Sequence, residues 1–136
     1  STDGYIYFHE NSFNDGSTNP PSAISSYIES SAIDIGDGEQ FMFMTRILPD
    51  LTFRNSTGTP TATFTMSARD FPGADLDQTK SQTTVRTATS PVEQYTDQLF
   101  MRLRGRSLSL KVSSNQVNTQ WRLGSPRVDM KPDGRR

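Results

Sequence analysis

The chain has 136 residues, enough for one domain with a modest core and too few for two ordinary ones. Hydrophobic residues make up only 32%, charged residues 21% and the formal net charge is -1, a balance unlike that of a disordered acidic or basic tail. The longest apolar run, Phe41 to Met44, is too short for a membrane span or a signal-peptide core; no cysteine is present for disulfides, thiolate zinc or nucleophilic catalysis, and His9 is the single histidine.

In chain order, no stretch keeps a 3.6-residue apolar repeat; short alternating or β-branched runs alternate with Gly, Pro, Asn and Asp. Residues 4–10 read as an aromatic-rich strand and residues 11–22 as a polar loop with an Asn14-Asp15-Gly16 turn and Pro20-Pro21. Residues 24–31 read as a second strand, with Ile24, Ser26, Ile28 and Ser30 on one face. Gly36-Asp37-Gly38 forces a turn, and residues 40–48 form the most apolar strand, the expected centre of the core. Pro49-Asp50 breaks that strand, residues 51–54 resume it, and residues 55–60 turn again. In residues 61–69, Ala62, Phe64, Met66 and Ala68 alternate with Thr61, Thr63, Thr65 and Ser67, the pattern of a half-buried antiparallel strand.

Residues 71–91 read as a long polar connection holding one short strand at 83–87. Leu99, Met101 and Leu103 then alternate with Arg102 and Arg104 up to Gly105, where a kink or bulge is expected. Beyond it the parity changes, which sends Leu108, Leu110 and Val112 inward and Ser107, Ser109 and Lys111 outward. A turn at Ser114-Asn115, a strand over 119–123 with Trp121 and Leu123 on one face, and a final strand over 127–131 complete the chain. Seven to nine strands at this spacing predict one all-β domain over 1–136, an antiparallel β-sandwich of immunoglobulin-like or jelly-roll-like type, with an open barrel as the alternative.

The near-zero charge hides an asymmetry. Residues 1–40 hold seven acids and no Lys or Arg, whereas residues 97–136 hold nine bases against three acids, so the ends carry roughly -7 and +6. Either the two ends neutralise each other within one sheet, or the acidic face of one copy meets the basic face of the next. Arg102, Arg104 and Arg106 are the candidate assembly contacts. At strand spacing the first two share a face, and clustered guanidiniums repel unless solvent, carboxylates or phosphates receive them.

Other candidates read as structure. Asp34-Ile35-Gly36-Asp37-Gly38-Glu39 lacks the EF-hand spacing and reads as a turn. His9-Glu10 has no companion for acid–base work, and Asp70, Asp75 and Asp77 fall in the polar loop with no pair fixed across a cleft. Asn55-Ser56-Thr57 matches the glycosylation sequon, a very common tripeptide. No catalytic, metal or cofactor-binding residue emerges, and the sequence reads as a non-enzyme without cofactors.

Several segments in order carry a resemblance: Tyr7-Phe8-His9-Glu10, Tyr27-Ile28-Glu29-Ser30, the run from Asp34 to Phe43, and Pro49-Asp50. They continue with Arg104-Gly105-Arg106, Trp121-Arg122-Leu123-Gly124, Pro126-Arg127 and Pro132-Asp133-Gly134-Arg135-Arg136. Together they resemble the virion structural proteins of short-tailed bacteriophages known as tail nozzle, hub or tubular proteins. The resemblance implies the C-terminal domain of a longer chain whose upstream body contains a β-propeller, here without that body and without an initiating Met. It implies a virion tail protein, assembled in the host cytoplasm, that acts in tail assembly and the DNA exit channel. Its implied partners are other copies in a ring, hexameric in the parent assembly, then adjacent tail proteins and the DNA passing through. The alternative reading is a carbohydrate- or receptor-binding sandwich that uses Tyr5, Tyr7 or Trp121 as a stacking platform, and a third is a DNA-contacting element that uses the basic C-terminus.

Overall fold

Short alternating runs separated by turn residues leave the chain nothing to build but sheets, and among the described residues every regular element is a strand. The computed structural model describes Gly4, Ile6 and residues 11–34, 36–70 and 86–135. The strands are β1 (Asn14–Asp15), β2 (Ser22–Ala23), β3 (Ser26–Glu29), β4 (Ile33–Asp34), β5 (Met42–Leu48) and β6 (Leu51–Thr52). They continue as β7 (Thr61–Arg69), β8 (Arg86–Glu93), β9 (Leu99–Gly105), β10 (Ser107–Ser114), β11 (Arg122–Leu123) and β12 (Arg127–Pro132). Seven of these have four residues or more, and the other five are two-residue pairings at the margins. Of the aromatic-rich run at 4–10 only Gly4 and Ile6 are among the described residues, and of the short strand read at 83–87 only Arg86 and Thr87, which open β8.

The fold is all-β, antiparallel and sandwich-like. One sheet runs β3-β10-β7-β8, with β4 sharing the β10 edge beside β3, and the other runs β12-β5-β9. Their facing sides enclose Met44, Ile47, Phe64, Met66, Val92, Met101, Leu103 and Val112. Full burial of a side chain of this size stabilises by roughly 1.5–3 kcal/mol. In β7 the alternation is realised as read, with Ala62, Phe64, Met66 and Ala68 all buried. In β5 the inward residues Met44 and Ile47 are three apart, not two, because Thr45 is an extra residue in the pairing with β12, where Arg46 and Met44 face the consecutive residues Asp129 and Met130. One extra residue in a strand shifts which parity faces inward, and an apolar run gives no hint of it.

Five expectations change. Ser107 and Ser109 are buried and not solvent-facing, because β10 is an interior strand flanked by β7 and by β3 and β4. The Arg69 guanidinium lies over Ser107, with Nη2 donating to its Oγ at 3.2 Å. Part of the expected long connection is strand β8, and Pro91 is tolerated there because, among the described residues, β8 pairs with β7 alone and is an edge strand. The second strand is shorter than read and leaves Ile24 and Ile28 half exposed at the sheet margin. The polar loop holds the β1–β2 hairpin, and the following turn centres on Val117-Asn118 with Asn118 at φ 57°. Asn14 and Asn118 exchange two hydrogen bonds there, which pins the hairpin to the turn.

Two backbone joints set the geometry. Between β3 and β4, the Ser30 N–H donates to the Leu110 carbonyl at 2.9 Å while the Leu110 N–H donates to Ser30 Oγ at 3.0 Å. A side chain thus fills the gap where two short strands share one edge. At Gly105 the chain leaves the three-stranded sheet and, one residue later, enters the five-stranded one. A Cβ at position 105 would lie 2.7 Å from the Ala68 Cβ and 3.0 Å from the Arg69 carbonyl oxygen. The Gly105→Ala variant is expected to lose about 1–3 kcal/mol to overpacking. Thermal unfolding should show this as a Tm lowered by several degrees, whereas Gly16→Ala, where an added Cβ meets nothing within 4 Å, should leave Tm unchanged.

Candidate functional site

The arginine candidates sit at the end of β9 and just past it, where the alternation of Leu99, Met101 and Leu103 inward sends Phe100, Arg102 and Arg104 outward. Arg104 does not reach into open solvent. Its Nε donates to Asp133 Oδ2 and its Nη2 donates to the Asp133 carbonyl at 3.2 Å, so one guanidinium grips both ends of one residue. Its Cζ lies 4.0 Å from the centroid of the Phe41 ring. Arg106, turned by the sheet switch, reaches the same ring at 4.7 Å and donates from Nη2 to the Arg135 carbonyl at 3.0 Å. Phe41 itself is only 7% exposed.

Two cations on one ring are held together by the ring quadrupole and by the acceptors that receive their N–H groups. The backbone closes the arrangement. The Phe41 N–H donates to the Gly134 carbonyl at 2.7 Å, and the Asp133 N–H donates to the Phe41 carbonyl at 2.8 Å. Gly134 takes φ 79°, which a glycine adopts without steric cost. Arg135 extends to Glu39 at 4.0 Å. Pro132 to Arg135 is therefore fastened to the start of β5 and to the β9–β10 corner. Arg102 differs: it is exposed and makes no ion pair among the described residues.

A second joint forms around Asp50, whose φ is 43°. Its carbonyl accepts from the Gly124 N–H at 2.9 Å, and its Oδ2 accepts from the Ser125 N–H at 2.6 Å. The same contact brings β11 beside β6. Trp121, packed against the core, donates from Nε1 to Ser26 Oγ at 3.0 Å. It also lines a surface pocket of about 220 Å³ with Thr52, Arg54, Asn55, Gln120 and Arg122.

The two charged ends of the chain meet in part. Lys111 Nζ lies 3.5 Å from Glu29 and 4.7 Å from the Tyr27 ring centroid, across the β3–β10 pairing. Arg46, from the middle of the chain, pairs with Asp129 across β5 and β12. Gly36 and Gly38 take φ 64° and 73°, as the turn reading of 36–38 requires. Asp70 receives Arg86 at 3.3 Å. Tyr5, Tyr7, His9, Asp75 and Asp77 lie outside the described residues. Among the described residues, no three His, Cys, Asp or Glu side chains gather as metal ligands, and no helix is long and apolar enough to cross a membrane.

Sequence reasoning missed Phe41 as the shared platform and Asp133 as the carboxylate that Arg104 holds. The Asp133-Gly134 dipeptide is a turn signal, but which strand end it would meet is set by the β12–β5 register. No protein-family model and no curated protein matches the chain. The Arg104→Ala variant is expected to release the 133–135 segment. Amide hydrogen exchange should speed up at Phe41 and Asp133, with a stability loss of about 1 kcal/mol because the pair is part exposed. Unchanged exchange at both amides would show that the guanidinium does not hold the segment.

Proposed function

We propose that the chain is a virion structural protein of a bacteriophage tail, a nozzle or hub component that acts in tail assembly and the DNA exit channel, without enzymatic activity. The observation that supports this most is where the segments carrying the family resemblance lie. Phe41, Arg104-Gly105-Arg106 and Asp133-Gly134-Arg135 build one joint, while Pro49-Asp50 and Trp121 to Gly124 build the other. A family signature whose residues fasten strand ends is the signature of a scaffold: rigidity, not turnover, is what its side chains supply.

In this reading the domain is part of a ring of identical copies, six in the parent assembly, with adjacent tail proteins as further neighbours. Arg102 is the guanidinium best able to meet a neighbour's carboxylate, and Arg104 and Arg106 set the corner that presents it. The carbohydrate- or receptor-binding alternative has one observation in its favour, the pocket that joins Trp121 to Arg54, Asn55, Gln120 and Arg122. A glycan array probed with the domain tests it, and a uniformly blank array removes it.

The structural reading is tested by labelling the domain with an antibody in the native source material and imaging by negative-stain electron microscopy. Label at one end of phage particles is expected; bare particles with label on soluble material, given an accessible epitope, would refute it. Serine at 102, 104 and 106 together should weaken assembly and reduce its salt dependence, as measured by sedimentation in a salt series. Assembly identical to wild type would deny these arginines the role.

A further inference from the structure

Two surface features of this chain, on different sheets, are complementary. The first is a knob. Phe100 projects from the outer face of the β12-β5-β9 sheet with 76% of its surface exposed, directly opposite Arg46 in the β5–β9 register. Arg102 stands two residues along on the same face of β9, and Lys131 lines the same shallow depression as Phe100. Neither Arg102 nor Lys131 has an ion pair among the described residues.

The second feature is a groove. The five-stranded sheet is wider than its three-stranded partner, so its β3–β4 margin overhangs the core. Ile28 and Ile33 pair across the buried residues Val112 and Leu108, so they point to the core side yet remain 51% and 59% exposed. Ile28, Leu110, Val112 and Leu123 line a mostly apolar groove of about 170 Å³, with Glu29 and Ser30 at its rim. Asp34 follows along the same edge and has no ion pair among the described residues.

We infer that a second copy of this chain fills the groove: Phe100 of one copy inserts beside Ile28 and Ile33 of the next, with Arg102 and Lys131 set against Asp34, since Glu29 is already paired with Lys111 in its own copy. An apolar knob and a pocket at different places on one surface give a heterologous, head-to-tail contact. An aromatic anchor in a water-excluding pocket, with charges at the rim, is the arrangement that concentrates binding energy in few residues. The charge signs agree, since Asp34 on the groove's edge is negative while Arg102 and Lys131 beside the knob are positive, and none of the three has an ion pair among the described residues. The inference deepens the structural role proposed above by naming its copy-to-copy surface, and rests on that reading for its biological setting.

The test uses two variants of the whole chain, checked for unchanged circular dichroism and Tm. One carries Phe100→Ser with Arg102→Glu and lacks the knob; the other carries Ile28→Ser with Asp34→Arg and lacks the groove. Sedimentation equilibrium should find wild type self-associating and each variant weakened by ~30-fold or more, as loss of a central aromatic anchor predicts. An equimolar mixture should form a one-to-one dimer and no larger species, because the pair retains one knob and one groove. Wild type that stays monomeric up to ~1 mM, the weak end of measurable affinity, would overturn the inference. So would variants that associate like wild type, or a mixture that gives no dimer. The virion reading fails separately: self-association with phage tails free of label keeps this interface and removes that role.

Discussion

The close approach at Gly105 is the constraint on which the remaining structure depends. There the chain must pass between two sheets in the space of one residue, and the Ala68 methyl and Arg69 carbonyl leave no volume for a side chain. The tightness has a consequence on either side of the corner. Arg104 ends β9 and Arg106 sits between the two sheets, yet both converge on the Phe41 ring. The Arg106 N–H, at the same corner, donates to the Arg69 carbonyl at 2.8 Å. A looser corner would separate the guanidiniums, and the segment from Asp133 to Arg135 would lose two of the groups that hold it.

That dependence explains why the C-terminal segment is structured although its sequence, Pro132-Asp133-Gly134-Arg135, reads as a polar end. Backbone bonds to Phe41 supply the pairing that β12 would otherwise lose at Pro132, and the arginines complete it from the side. No single contact there is strong, because Arg104 and Asp133 keep 30% and 48% of their side-chain surface in solvent. What makes the group effective is that all of it uses one fixed corner. Ordering the guanidiniums costs little extra entropy once the backbone on both sides is fixed.

The sheet character of the chain was legible because alternation is a local property. Residues 61–69 and 99–103 declare their inward faces without reference to anything else. What was not legible depends on neighbours far away in sequence. Whether Ser107 and Ser109 meet water is decided by where β10 lies in its sheet, and their small size is the only local trace of burial on both faces. The bulge at Thr45 is hidden because an apolar run looks alike in either parity. The arginine cluster was visible as a cluster, but its receivers, Phe41 and Asp133, lie 63 and 29 residues away from Arg104. Spacing along a chain cannot report such partners, whereas strand register does.

The opposite signs of the two ends acquire a spatial meaning from the same topology. Where acidic and basic segments pair as neighbours, charge is spent internally, as in Glu29 with Lys111 and Glu39 with Arg135. The residue left over is uneven: Asp34 and Asp37 keep no ion pair among the described residues, and neither do Arg102, Arg122, Arg127 and Lys131. A net charge of -1 therefore conceals unpaired groups of both signs, among them acids from the first forty residues and bases from the last forty. Long-range attraction between such groups orients two copies before contact and falls with ionic strength, whereas apolar groups fix the final position and do not. In the contact inferred above, Phe100 and the Ile28 groove would be the centre, and Arg102, Lys131 and Asp34 the charged rim. Because the two surfaces belong to different sheets, the contact we infer is head-to-tail, and it would close into a ring only at a suitable angle between them.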